Sequence, residues 1–292
     1  MRQLMNRLNF SGHESFHCRS TWLKKGFDYI NEGCNFSDPQ GIVRLGVGKN
    51  MLTSIQYWMS AFGLFDSHKQ VSEVANFILD TEGRDPFLED PASLWLLHYY
   101  LVKTGKASIF SLVFNEFRKE RVEFTKDHLY GFITRKCSEE KTPFSSNTIK
   151  KDISVFLRTY LRPTNTSTDI ENQFSGLLVD CELIESFRGE EEHVEWFRIA
   201  NSSGDHIPDE IILFGILDSI NSESSISVNT LLVEQDSVGS IFALNREGLV
   251  RKLKRLQLRY KNLVYSDDAG IREIQLKETI DKWAVLDDYY RQ

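Results

Sequence analysis

The sequence predicts a mainly α, multi-domain fold with helix-turn-helix or winged-helix units and a small β-hairpin or wing content. Three observations carry this. Apolar residues recur at helical spacing along most of the chain. Two candidate helices within residues 39–62 are joined by a tight glycine-containing turn. Near the C-terminus a basic helical stretch is followed by two short strand-like runs about a turn.

Residues 10–31 read as a helix, with Phe16, Ser20, Leu23, Phe27 and Ile30 on one face and Gly33 as its stop. A short helix from Pro39 to Leu45 meets the turn Gly46-Val47-Gly48. A second helix then runs from Lys49 to Phe62, burying Leu52, Ile55, Met59 and Phe62. This is the outline of a helix-turn-helix whose second helix would read the groove; an ordinary helical hairpin is the alternative. Asp90-Pro91 starts a further helix with proline in its first turn, largely buried through Leu94, Trp95, Leu97, His98, Leu101 and Val102. There His98 reads as a core histidine. A helix follows over Ile109 to Arg118. Residues 145–163 open with Ser/Asn capping choices and bury Ile149, Ile153, Phe156, Leu157 and Tyr160, with the segment before them as a partner helix.

Residues 164–206 change character. TNTSTD is a polar loop, and FSGLLVDCELIES and VEWFRIA form a β-hairpin with an acidic tip at Glu190, Glu191 and Glu192. A linker-like stretch leads to helices at 211–220 and 246–261 and a two-stranded wing at 263–276. The expected organisation is an N-terminal helix-turn-helix-like domain (1–82), a central helical domain (83–163), the hairpin and linker (164–206) and a winged-helix-like domain (207–292).

The chain has 292 residues, 41% apolar and 26% charged, as in ordinary globular proteins. No apolar run approaches the roughly 20 residues that span a bilayer, and the N-terminus lacks a secretory pattern. Cys18, Cys34, Cys137 and Cys181 are scattered without a C-x-x-C pair. That argues against a disulfide framework or thiolate zinc site and fits a reducing cytoplasm. The net charge of −7 excludes a uniformly basic surface, not local basic patches. Residues 246–261 hold such a patch: Arg246, Arg251, Lys252, Lys254, Arg255, Arg259 and Lys261 against Glu247 alone. It reads as a phosphate-contacting helix or as a solvated helix face. Candidate DNA contacts are therefore Arg246, Arg251, Lys252, Lys254 and Arg255, together with Lys150 and Lys151, and with Lys49, Asn50, Thr53, Ser54 and Gln56 in the first turns of the second helix.

FSGHESFHCR, WLKKGFDY, VRLGVGKNM, IQYWMSAFGL and DPFLEDPASLWLLHYYL together resemble a bacterial defence-island family first described as a domain of unknown function. It includes the SspB-type proteins of single-strand DNA phosphorothioation systems. The motifs cover residues 9–103 densely, with weaker likeness beyond. The resemblance implies a cytoplasmic partner of a sulfur-modification and phage-defence pathway. On that resemblance it would act on double-stranded DNA together with a cysteine desulfurase, an ATP-using sulfur transferase and an ATPase. The resemblance further implies a nickase that opens the backbone where sulfur is inserted; a non-enzymatic DNA-binding adaptor is the rival reading.

Within this match, His13-Glu14-Ser15-Phe16-His17 has the H-E-x-x-H form of zinc peptidases. A peptidase needs both histidines on one helix face and a third ligand from elsewhere. Glu32 lies too far along the same expected helix to serve. Ser11 to Glu14 also has the S-x-x-E form of a capping box. A third reading is a phosphate or metal site at a helix N-terminus, with His13, Glu14, His17 and Arg19 as candidate catalytic groups. Nicking requires an activated water and stabilised charge on the phosphate, which carboxylate-held Mg²⁺ or Mn²⁺ often supplies. The sequence has no compact D…E-x-K cluster. Glu89 and Asp90 are carboxylates in a distinctive stretch, and helix capping at Pro91 is their simpler role.

Overall fold

A computed structural model describes residues 8–65, 70–163, 175–189, 194–220, 224–268 and 270–292. The acidic tip at Glu190, Glu191 and Glu192 and the TNTSTD loop lie outside them. The chain is mainly helical with two small antiparallel sheets, and it divides into two compact units, Met1–Ile199 and Ala200–Gln292. Among the described residues no helix is long and apolar enough to cross a membrane.

The first unit opens with an irregular segment, residues 8–19, and then α1 (Ser20–Asn31), α2 (Gly41–Leu45), α3 (Lys49–Ala61), α4 (Glu73–Leu79) and α5 (Pro91–Lys103). The expected helix over 10–31 is therefore corrected to one that starts at Ser20. Ser11, Gly12, Glu14 and Ser15 have φ of 76°, 93°, 48° and 68°, which a right-handed helix does not permit. Gly46 closes α2 in the left-handed conformation at φ 63°, so the helix pair follows the predicted turn. Asp90 caps α5, accepting the Ala92 amide at 2.7 Å, with Pro91 in the first turn, as the simpler reading held. α5 is buried on most of its surface, and His98 is a core residue, its Nδ1 2.9 Å from the Tyr160 hydroxyl.

The expected helix from Ile109 is broken into α6 (Ser108–Leu112), a π-helical turn (Val113–Phe117) and α7 (Arg118–Glu120). α8 (Lys126–Glu139) begins with a Thr125–His128 capping box, and α9 (Ser146–Tyr160) packs beside it. Trp58, Phe62, Phe110, Phe156 and Tyr160 form a chain of ring contacts that joins α3, α6 and α9. Each such ring buries roughly 150–250 Å². The predicted hairpin is present as β2 (Ile184–Arg188) and β3 (Glu195–Ile199), and β1 (Glu123–Phe124) pairs with β3 on its other side. Glu123 stands opposite Arg198 and binds it at 2.8 Å.

The second unit runs α10 (Asp209–Ser219), β4 (Ser225–Ser227), α11 (Val228–Val233), α12 (Val238–Ile241), α13 (Arg246–Arg259), β5 (Leu263–Asp268), β6 (Ile271–Leu276) and α14 (Lys282–Tyr290). Its sheet has the order β4-β6-β5. Ser227, Ser237, Asn245 and Asp281 cap α11 to α14 in turn, each worth about 1 kcal/mol. The stretch expected as a linker is ordered at its end: Ser202 pairs with Leu244, and Gly204 packs under it.

Candidate functional site

The segment carrying HESFH is a strap across α3, α6 and α9. Asn9 exchanges backbone and side-chain hydrogen bonds with Ser108 and Lys106. The Ser54 hydroxyl donates to the His13 carbonyl at 3.0 Å, the Trp58 indole to the Phe16 carbonyl at 3.1 Å, and Arg158 to the Ser15 carbonyl at 2.8 Å. These partners replace the intrahelical bonds the sequence pattern had suggested. Gly12 allows the close fit: at φ 93°, a Cβ there would lie 2.6 Å from the Tyr57 ring.

His13 and His17 are buried, each 3% exposed, whereas Glu14 is on the surface. The His13 ring stands edge-on to Tyr57 and parallel to Trp58. Its Nδ1 accepts the Ser15 amide at 3.1 Å, which places the ring proton of the neutral form on Nε2. Nε2 lies 3.1 Å from the Asp152 carboxylate, not aligned as a hydrogen bond. Asp152, 2% exposed, also accepts the Ser11 amide with both oxygens, at 3.1 and 3.2 Å. Burial, and then the Asp152 carboxylate, push the Tyr57 phenol well above its usual range. Nδ1 is thus engaged by the backbone, while Nε2 faces Asp152 without a hydrogen bond. Arg19 is half-buried over the Trp22 ring.

Two expectations fall here. Ser11 and Glu14 do not form a capping box, because no helix starts there. The H-E-x-x-H residues do not lie on one helix face, so the zinc-peptidase reading is overturned. Among the described residues no three His, Cys, Asp or Glu side chains group to hold a metal ion.

On α3, Lys49, Asn50 and Thr53 are exposed in the first two turns. Gln56 is half-buried in a cleft of about 390 Å³ with Ile30, Phe36 and Phe65. Ser54 is fully buried beneath His13, so it leaves the expected DNA-facing set. Lys150 and Lys151 are exposed on α9, Lys150 over the Tyr130 ring.

The basic helix α13 is less free than its sequence suggests. Lys252 is wholly buried; its ammonium donates to the Ile207 carbonyl and contacts Asp209 at 3.1 Å. It is therefore not a DNA contact. Arg255 grips the same Asp209 carboxylate with two hydrogen bonds of 2.6 and 2.7 Å, Arg259 pairs with Glu210, and Arg251 lies 3.5 Å from Asp205. Burial lowers the Lys252 ammonium against the pull of Asp209. Burial raises the Asp209 carboxyl, but the Arg255 and Lys252 contacts outweigh it and hold it below its usual range. Arg246, bonded to Asn229, and Lys254, over the Tyr265 ring, keep their charge at the surface. They border a groove of about 680 Å³ between α13 and the β5–β6 hairpin, with the exposed Leu258.

Asp152, Arg158 and Asp209 are functional neighbours that the expected site residues do not include. Asp152 follows the Lys150-Lys151 pair on a helix with a polar outer face, and no local signal marks it as buried. Asp209 stands beside Glu210 just before an apolar helix, which is a readable N-terminal acidic signal.

A family model described as a protein of unknown function, DUF4007, matches residues 10–290. No curated protein matches the sequence. A solved structure described as magnesium ion-bound SspB is similar at 25% identity and a TM-score of 0.85, covering 99% of this chain and 90% of that one. A second, described as SspB, is similar at 26% identity and a TM-score of 0.81, covering 97% and 88%.

Proposed function

From its membership of the DUF4007 family, to which this chain belongs, we propose that it is the SspB-type component of a single-strand DNA phosphorothioation and phage-defence system, and that it binds duplex DNA and nicks it. The near end-to-end structural match to SspB carries this reading. The expected partners are the cysteine desulfurase, ATP-using sulfur transferase and ATPase of such a system, in the cytoplasm.

The DNA-facing elements of the proposal are the exposed first turns of α3, with Lys49, Asn50 and Thr53, and Gln56 at their edge. Lys150, Lys151, Arg246 and Lys254 add phosphate contacts, with smaller shares from Arg251 and Arg255, whose charge is already partly met by Asp205 and Asp209. The helix pair α2–α3 supports a helix-turn-helix reading. In the second unit the order helix, strand, two short helices, long helix, hairpin, with β6 between β4 and β5, supports a winged-helix reading.

A divalent ion enters through the magnesium-bound SspB structure. The described residues of this chain do not form a protein cage for it: Asp205, Asp209 and Glu210 are the acidic set at the start of α10, and arginines and Lys252 already occupy them. Purified protein incubated with supercoiled plasmid and Mg²⁺ or Mn²⁺ tests the reading, open circles being the expected product. Binding without opening would favour the adaptor.

A further inference from the structure

A pocket of about 520 Å³ lies at the N-terminus of α9, where Asn9, Ser11, Thr142, Ser145 and Thr148 share the wall with the apolar Leu8, Phe10, Pro143 and Phe144. α9 has 15 residues, and Ser145 at its cap makes no side-chain bond to the first turn. The amides of Ser146, Asn147 and Thr148 thus have no intrahelical partner, the first ladder bond being from Ile149 to the Ser145 carbonyl. They form the positive end of the helix dipole. An independent feature marks the same place. Thr142 is only 7% exposed, it forms part of the wall, and its hydroxyl has no hydrogen-bond partner. A buried hydroxyl in that state costs stability until something meets it. Lys150 and Lys151 are exposed one turn further on. The nearest acidic group on that helix, Asp152, is 2% exposed and already met by Ser11 and His13.

We propose that this pocket binds a phosphate group, held by the open amides of Ser146, Asn147 and Thr148, the hydroxyls of Thr142, Ser145 and Thr148, and the charge of Lys150 and Lys151. Amides and hydroxyl donors at a helix start suit a tetrahedral oxyanion. The group could come from a DNA backbone or strand end, or from a small phosphate ester; the chemistry recognised is the same. The inference stands apart from the DNA reading, because inorganic phosphate alone tests it.

The full chain, titrated with inorganic phosphate at constant ionic strength against chloride, should show saturable shifts of the amides of 145–148 in heteronuclear spectra. The double variant Thr142→Val, Ser145→Ala should weaken binding about tenfold, equivalent to roughly 1.4 kcal/mol. Thr142→Val alone should keep or raise the melting temperature while reducing the rise that phosphate produces, since the isosteric methyl removes an unmet hydroxyl. A non-saturating response, or equal affinity in the double variant, would overturn the proposal. Competition then separates sources. A duplex with 5′-hydroxyl ends that displaces phosphate from these amides identifies an internal backbone phosphate. Displacement only by a 5′-phosphorylated duplex or a mononucleotide identifies a terminal phosphate. Both results uphold the pocket.

Discussion

Asp152 on α9 lies 3.1 Å from His13 Nε2 and takes the Ser11 amide as well, so one buried carboxylate fixes the turn on which the H-E-x-x-H sequence sits. Removing the carboxylate leaves the Ser11 amide and the His13 Nε2–H facing no acceptor. Asp152→Ala should therefore cost about 1–3 kcal/mol in urea unfolding. His13→Ala and the double variant should show a coupling of at least about 1 kcal/mol in a double-mutant cycle. Additive losses would mean the two groups do not interact.

Glu14 is exposed and left-handed, at φ 48°. Glu14→Ala should fall within about 0.5 kcal/mol of the parent, as for other surface changes. Glu14→Gly should stabilise the chain by about 1 kcal/mol by relieving the left-handed backbone. A loss of stability in Glu14→Gly would restore a role for the carboxylate.

Asp209 is held below the ordinary carboxylate range in the folded protein. As pH falls, the unfolded chain therefore takes up this proton first. The stabilisation from Asp209 is full above the ordinary carboxylate range and is lost as pH drops through the folded value. Asp209→Asn should flatten the acid limb of the stability–pH curve without altering it near neutrality in shape. An unchanged acid limb would show that Arg255 and Lys252 do not hold the carboxyl down.

The contrast between Lys252 and Lys254 is a test of which basic residues meet DNA. Lys252 is buried on Asp209, and Lys254 is exposed. Lys254→Ala and Arg246→Ala should each reduce the salt dependence of DNA binding by about 1 in log–log slope. Lys252→Met should leave the slope unchanged in the folded protein. The reverse pattern would turn the other face of α13 to DNA.

Several helices were legible in the sequence: α3, α5 and α9 sit where Leu52 and Ile55, Asp90-Pro91, and Ile149 and Ile153 place them, and α13 falls within the expected 246–261 helix. The start of α1 was not. Phe16, Ser20 and Leu23 fit helical spacing, yet the bonds that hold residues 11–18 outside a helix come from Ser54, Trp58, Asp152 and Arg158, far away in sequence. Local periodicity carries no record of such partners. Basic composition likewise marked α13 without revealing that Asp205, Asp209 and Glu210 answer much of its charge.

The proposed interface and the proposed nicking meet in one assay. Purified protein is mixed with supercoiled plasmid and Mg²⁺ or Mn²⁺, and both gel retardation and open circles are scored for the parent and for Lys49→Ala and Asn50→Ala. Retardation followed by open circles is the expected result. Lys49→Ala should weaken retardation on every sequence, and Asn50→Ala should erode preference between sequences. A plasmid that is neither retarded nor opened by the folded parent protein would contradict it.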